Sequence, residues 1–233
     1  MRSGRFVAWS RAWQAGLVSY DEALDATQDG GRSDEVSGCV GPGMLGDFFL
    51  LARAQRPRLV LPVPGDPRGL PGPGPFTDAA LAAGQAVVAG RWGLVPEFDS
   101  PAVVWRSYEL PVVAPDLVCL PDADYELSEA VRETAAALSR LEVARMPPGL
   151  FGALAALRRL AEEVALPPGY PARAHRLIAR ADRVGTILRL AGENALGAAV
   201  DGRTAVLRED LLRSVSTSVR RARLASYNAD LLT

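Results

Sequence analysis

The stretch LVLPVPGDPRGLPGPGPF, residues 59–76, limits the fold more than any other part of the chain. It sets six prolines and four glycines behind a short apolar run. Each proline lacks an N–H and fixes its own φ, so neither a helix interior nor a central strand can pass through. Any strand over RLVLPV (58–63) is therefore confined to a sheet edge or must end at Pro62. A glycine-rich loop also invites comparison with phosphate cradles, where consecutive backbone N–H groups point at the anion beside a lysine and a hydroxyl. Here Pro62, Pro64, Pro67, Pro71, Pro73 and Pro75 donate nothing, and no Lys-Ser or Lys-Thr follows. The spacing of Gly65, Gly69, Gly72 and Gly74 fits neither the P-loop nor the dinucleotide-binding fingerprint. The stretch reads as a stiff bend. Asp66 and Arg68 form a small polar feature on it, best used as an internal salt bridge that pins the loop.

On either side of this bend the patterning is that of an α+β region. Phe6, Trp9, Trp13 and Leu17 recur at helical spacing, and SYDE (19–22) fits a capping box that opens a short second helix. Residues 28–43, QDGGRSDEVSGCVGPG, read as a polar, mobile loop, and Met44 to Leu51 as a densely apolar helix. Thr77 is placed to cap a helix through TDAALAAG. The segments 86–90, 92–98 and 102–110 read as strands linked by short turns. The expectation is a small, mostly antiparallel sheet covered by the N-terminal helices. A parallel pairing of 58–63 with 86–90 is open, because the intervening segment is long enough for a crossover.

After residue 120 the periodicity is helical throughout. Leu127, Val131, Thr134, Leu138 and Leu141 form one stripe, with Asp124 as its cap. Further stripes run through Leu150 to Val164, Leu177 to Ala191 and Leu211 to Ala222, separated by PP, LPPGYP and GAAVDG breaks. Four helices with short connections predict an antiparallel four-helix bundle. The chain thus reads as an α+β domain over 1–119 and a helical bundle domain over 120–233.

Composition sets the functional limits. With 48% apolar and 23% charged residues, the 233-residue chain suits a folded core. A net charge of −1 gives no global attraction to nucleic acid or acidic membranes. All 26 basic residues are arginine, and with only two isoleucines this points to a GC-rich genome. The start, MRSGRFVAWSRAW, lacks a signal-peptide apolar region, and no uncharged apolar run has membrane-spanning length. Cys39 and Cys119 form no CxxC and no disulfide framework, so a reduced, cytoplasmic setting is expected. Any histidine-dependent mechanism must pass through His175, which lies between arginines that oppose an imidazolium. No catalytic constellation, cofactor motif or metal-ligand spacing is present.

Two features survive as candidate sites. Residues 1–125 carry 10 Arg against 15 Asp and Glu, and residues 126–233 carry 16 against 12, so −5 faces +4. Within the basic half, Arg173, Arg176, Arg180 and Arg183 fall on one helix edge, and Arg213 and Arg220 on another. Such stripes suit phosphates or an acidic protein surface, or else salt bridges within the chain. The second feature is the Trp9–Trp13 pair, either core or an anchor for a partner. The reading reached is a non-enzymatic interaction protein, an adaptor or regulatory partner that binds another protein or itself. The alternatives are a polyanion or nucleic-acid binder using the arginine stripes, and a small-molecule binder or enzyme with a cleft between sheet and bundle.

Overall fold

The computed structural model describes residues 1–28, 34–98, 103–140, 166–193 and 202–232. The chain divides into two compact units. The first comprises Met1–Leu117, Leu166–Pro171 and Tyr227–Thr233, and the second Val118–Ala165 and Ala172–Ser226. Two short segments from the helical half of the sequence therefore belong to the first unit.

The first unit is α+β. Its helices are α1 (Arg2–Gln14), α2 (Tyr20–Thr27), α3 (Leu45–Leu51) and α4 (Pro75–Ala83). Its strands are β1 (Glu35–Gly38), β2 (Gly43–Met44), β3 (Arg58–Val60), β4 (Ala86–Ala89), β5 (Trp92–Glu97) and β6 (Val104–Glu109). They form one sheet in the order β2-β1-β6-β5-β4-β3. The sheet is mixed: β1 runs parallel to β6, with Val36 opposite Trp105, and the remaining pairings are antiparallel. The expected loop over 28–43 therefore contains a strand in the middle of the sheet. Only Val36 in that strand has an apolar, buried side chain, which leaves too little alternation to read in sequence. The two strands for which a crossover was left open, β3 and β4, pair antiparallel.

The prolines act as the sequence requires. β3 is an edge strand and ends at Val60, before Pro62. Pro96 lies inside β5, but beyond Leu94, the last β5 residue in register with β4, so its missing N–H breaks no bond on that side. Pro75 opens α4 at its first turn, two residues ahead of the expected cap, while the Thr77 hydroxyl donates back to the Gly72 carbonyl.

Helices cover both faces of this sheet. Successive strand residues point to opposite faces, and Trp105 meets Phe6 of α1 whereas Tyr108 meets Phe76 of α4. On the α1 face, Phe6 packs against Phe48 and Phe49 of α3, and all three are buried. The Trp105 indole also donates to the buried Asp34 carboxylate at 2.9 Å. On the α4 face, Phe76 and Ala80 pack with Val88, Val95 and Leu110. A Cβ at Gly93 would stand 2.5 Å from the Phe76 ring, so this contact requires glycine in β5. At the start of α2, Ser19 accepts from the Glu22 N–H at 3.1 Å, as SYDE predicts.

The second unit contains α5 (Leu120–Arg140), α6 (Ala172–Glu193) and α7 (Gly202–Tyr227), whose last residue belongs to the first unit. α5 begins at Leu120, so Asp124 lies inside the helix rather than at its cap. Leu127, Leu177, Ala181, Val215, Val219 and Ala222 share one core, matching the periodic stripes. The expected helix over Leu150 to Val164, which would complete a four-helix bundle, lies outside the described residues. Among the described residues no helix is long and apolar enough to cross a membrane.

Candidate functional site

The Pro/Gly bend is built from its own polar contacts. Val63 and Asp66 bridge each other, and both Asp66 carboxylate oxygens accept from Arg68 at 2.7 Å. That fork is charge-assisted and bidentate, which fixes geometry as well as adding energy. Asp116 lies 4.0 Å from the other side of the Arg68 guanidinium.

Beyond this pinned corner, residues 71–77 form one wall of a pocket of about 480 Å³. Gly38 and Cys39 after β1, and Arg106 to Pro111 along β6, form the rest. The wall is mainly apolar: prolines 71, 73, 75 and 111 line it together with Phe76 and Tyr108, whose rings meet edge to face at 5.6 Å. Several of its polar side chains are engaged within the protein. Arg106 forks onto Glu97 at 2.6 and 3.0 Å, and Glu109 pairs with Arg91. Ser107 donates to the Ser37 carbonyl at 2.7 Å and accepts from the Val40 N–H. Burial raises the Tyr108 phenol above its usual range, with the Arg106 charge pulling the other way. The pocket is thus a partly open, proline-lined depression of mainly apolar character. It holds no nucleophile paired with a base: Cys39 is an exposed free thiol, and the single histidine, His175, belongs to α6 of the second unit. Among the described residues no His, Cys, Asp and Glu group is arranged to hold a metal ion. The bend over 59–76 and the strand over 102–110 are each visible in the sequence, but that they line one pocket is not, because only tertiary pairing brings them together.

The arginine stripes lie in the second unit, and Arg173, Arg180 and Arg213 of them are turned onto its own carboxylates. Arg173 and Arg180 reach Asp124 of α5 at 3.7 and 3.5 Å, and Arg180 also donates to the Ser128 hydroxyl at 2.7 Å. Arg183 donates to the Ala179 carbonyl of its own helix. Arg213 pairs with Glu209 and Asp210 within α7. Arg221 forks onto Glu126 of α5, and Arg223 onto Asp182 of α6. Each pair among α5, α6 and α7 is thus tied by at least one ion pair. Arg176 is exposed on α6, and Arg220 lies on α7 one turn before Arg223.

The tryptophan stripe lies on the outer edge of α1, with Trp9 and Trp13 both half-buried. Trp13 packs against Tyr20 at 5.6 Å and Phe49 at 6.1 Å, and the Arg53 guanidinium lies 5.6 Å from its ring centre. Leu50, three residues before Arg53, is 55% exposed, and Leu51 beside it 49%. The aromatic stripe is therefore neither fully core nor free, and exposed leucines of α3 lie next to its Arg53 end.

Two family models match the chain. One, described as the Rv1486c-like protein, N-terminal domain, covers residues 3–118, and the other, the Rv1486c-like protein, C-terminal domain, covers 121–224. Among curated relatives, the chain is 34% identical to "Uncharacterized protein Rv1486c" of Mycobacterium tuberculosis (strain ATCC 25618 / H37Rv), over 96% of this chain and 94% of that one. It is 29% identical to "Uncharacterized protein ML1804" of Mycobacterium leprae (strain TN), over 96% and 95%. No solved structure matches it. With both domain models matched in order and the likeness running nearly end to end, the chain belongs to the Rv1486c-like protein family.

Proposed function

We propose that this is a non-enzymatic interaction protein of the cytoplasm, an adaptor or regulatory partner that binds another protein through helical surfaces of its first unit. The observation that supports this most directly is the half-buried Trp9 and Trp13 edge of α1, with Arg53 stacked on Trp13 and exposed Leu50 and Leu51 on neighbouring α3. Tryptophan and arginine at a partly desolvated surface are the residue types that anchor protein interfaces. The polyanion reading loses support from the engagement of Arg173, Arg180 and Arg213 by carboxylates, which leaves less positive charge to meet phosphates. A second reading, small-molecule binding, draws on the proline-walled pocket beside Phe76 and Tyr108.

The test is capture from the source cell with the wild type, Trp9→Glu and Leu50→Glu, each with and without nuclease. The adaptor reading expects a stoichiometric protein that survives nuclease and is lost with both variants while their melting temperatures stay near the wild type. Recovery that is equal for all three, or that depends on nucleic acid, sinks it. A metabolite that raises the melting temperature of the wild type but not of Tyr108→Ala moves the reading to the pocket.

A further inference from the structure

β3 is the edge of the sheet opposite β2, and an edge strand presents N–H and C=O groups with no strand to pair them. In β3 the outward pair belongs to Leu59, whose residue is only 2% exposed, so water cannot serve instead. The side-chain amide of Asn228 does. The Leu59 N–H donates to Asn228 Oδ1 at 2.8 Å, and Asn228 Nδ2 donates to the Leu59 carbonyl at 3.0 Å. A primary amide carries one acceptor and donors in the same plane, so it reproduces the face of a peptide unit in a neighbouring strand.

The residues around Asn228 hold it there. Just before it, the Tyr227 carbonyl accepts from the Tyr170 hydroxyl at 2.9 Å and from the buried Arg11 guanidinium at 3.3 Å. Just after it, the Asp230 carboxylate pairs with Arg56 and lies 3.7 Å from Arg11. The Leu232 N–H donates to the Gly169 carbonyl at 2.7 Å. The attachment is graded: Tyr227 and Ala229 are buried, whereas Asp230 and Leu232 are 84% and 66% exposed.

We propose that residues 228–232 are a strap that closes the β3 edge as an intramolecular substitute for a strand, and that it opens locally while the rest of the first unit stays folded. The gradation is what a local opening needs, because the outer contacts are solvent-exposed and cheap to break. Closed, the strap keeps β3 from pairing with the edge of another molecule.

Hydrogen exchange read by mass spectrometry on the full chain tests this, in the wild type, Asn228→Ala and Asp230→Asn. Asn228→Ala should speed exchange of the peptide over 57–61 at least about tenfold while peptides over β5 and β6 keep their protection. Asp230→Asn, which leaves Asn228 in place, should speed the same peptide by a smaller factor. Unchanged exchange over 57–61 in both variants overturns the proposal, and so does an equal loss of protection across β5 and β6. Should Asn228→Ala fail to fold, Asp230→Asn decides alone by the same criterion.

Discussion

Replacing Gly4 by alanine sets two magnitudes against each other. Gly4 lies in the first turn of α1, where alanine raises helix propensity by no more than about 1 kcal/mol. A Cβ at this position, however, would stand 2.6 Å from Cζ and 2.7 and 2.9 Å from the two Cε atoms of the Tyr227 ring. That ring cannot swing aside cheaply. It is 2% exposed, and its backbone is held by Arg11 and Tyr170 through the carbonyl. Inserting a methyl into so closed a contact costs about 1–3 kcal/mol, and three ring atoms inside 3.0 Å place the cost at the upper end. The expected outcome is a net loss of about 1–2 kcal/mol.

All four tryptophans, Trp9, Trp13, Trp92 and Trp105, belong to the first unit, so intrinsic fluorescence follows its unfolding selectively. Urea melts by fluorescence should show a lower midpoint for Gly4→Ala, and thermal melts a fall of about 3–6 °C. Repeating the change in a Tyr227→Leu background removes the ring, and Gly4→Ala should there be neutral or stabilising. A stabilised single variant, or an equal cost in both backgrounds, would refute the claim that Tyr227 packs directly on α1.

Asp124→Asn removes the shared partner of Arg173 and Arg180; because all three are one-third to one-half exposed, the loss should be about 0.2–1 kcal/mol and vanish near about 1 M salt. Helical circular dichroism melts at two salt concentrations check it, and a salt-independent cost would point to packing instead. Burial pushes the Tyr170 phenol up to about 12, against the pull of Arg11 and Arg56. The fold thus favours the neutral phenol, so this contribution is fully present below about pH 10 and is lost as pH rises from there through about 12, on the order of 2–3 kcal/mol in all. Urea melts by fluorescence from about pH 9 to 11.5 should fall more steeply for wild type than for Tyr170→Phe, and parallel slopes would exclude Tyr170 as the cause.

Much of the local structure was legible because it rests on short-range physics. The SYDE cap, the edge position of β3 before Pro62, the Asp66–Arg68 pin and the apolar stripes through Leu127, Leu177 and Val215 each depend on neighbours within a few residues. β1 was not legible: one buried valine among Glu35, Ser37 and Gly38 carries no period, and its strand state comes from pairing with β6, about 70 residues away. The candidate sites divide the same way. The arginine spacing was visible, but which of those guanidinium groups meet carboxylates depends on which side chains lie beside them, and Asp124, Glu209 and Asp210 pair with Arg173, Arg180 and Arg213.

The sequence by itself determined where the chain bends and where its apolar helical stripes lie, since backbone restriction and periodicity are local properties. Only the tertiary structure decided that the sheet is mixed, that a pocket lies between the PGPGP wall and β6, and that Asn228 completes β3. The reason is physical: a buried edge N–H is satisfied, and a pocket is walled, by whatever parts of the chain folding brings together, and sequence distance does not say which parts those are.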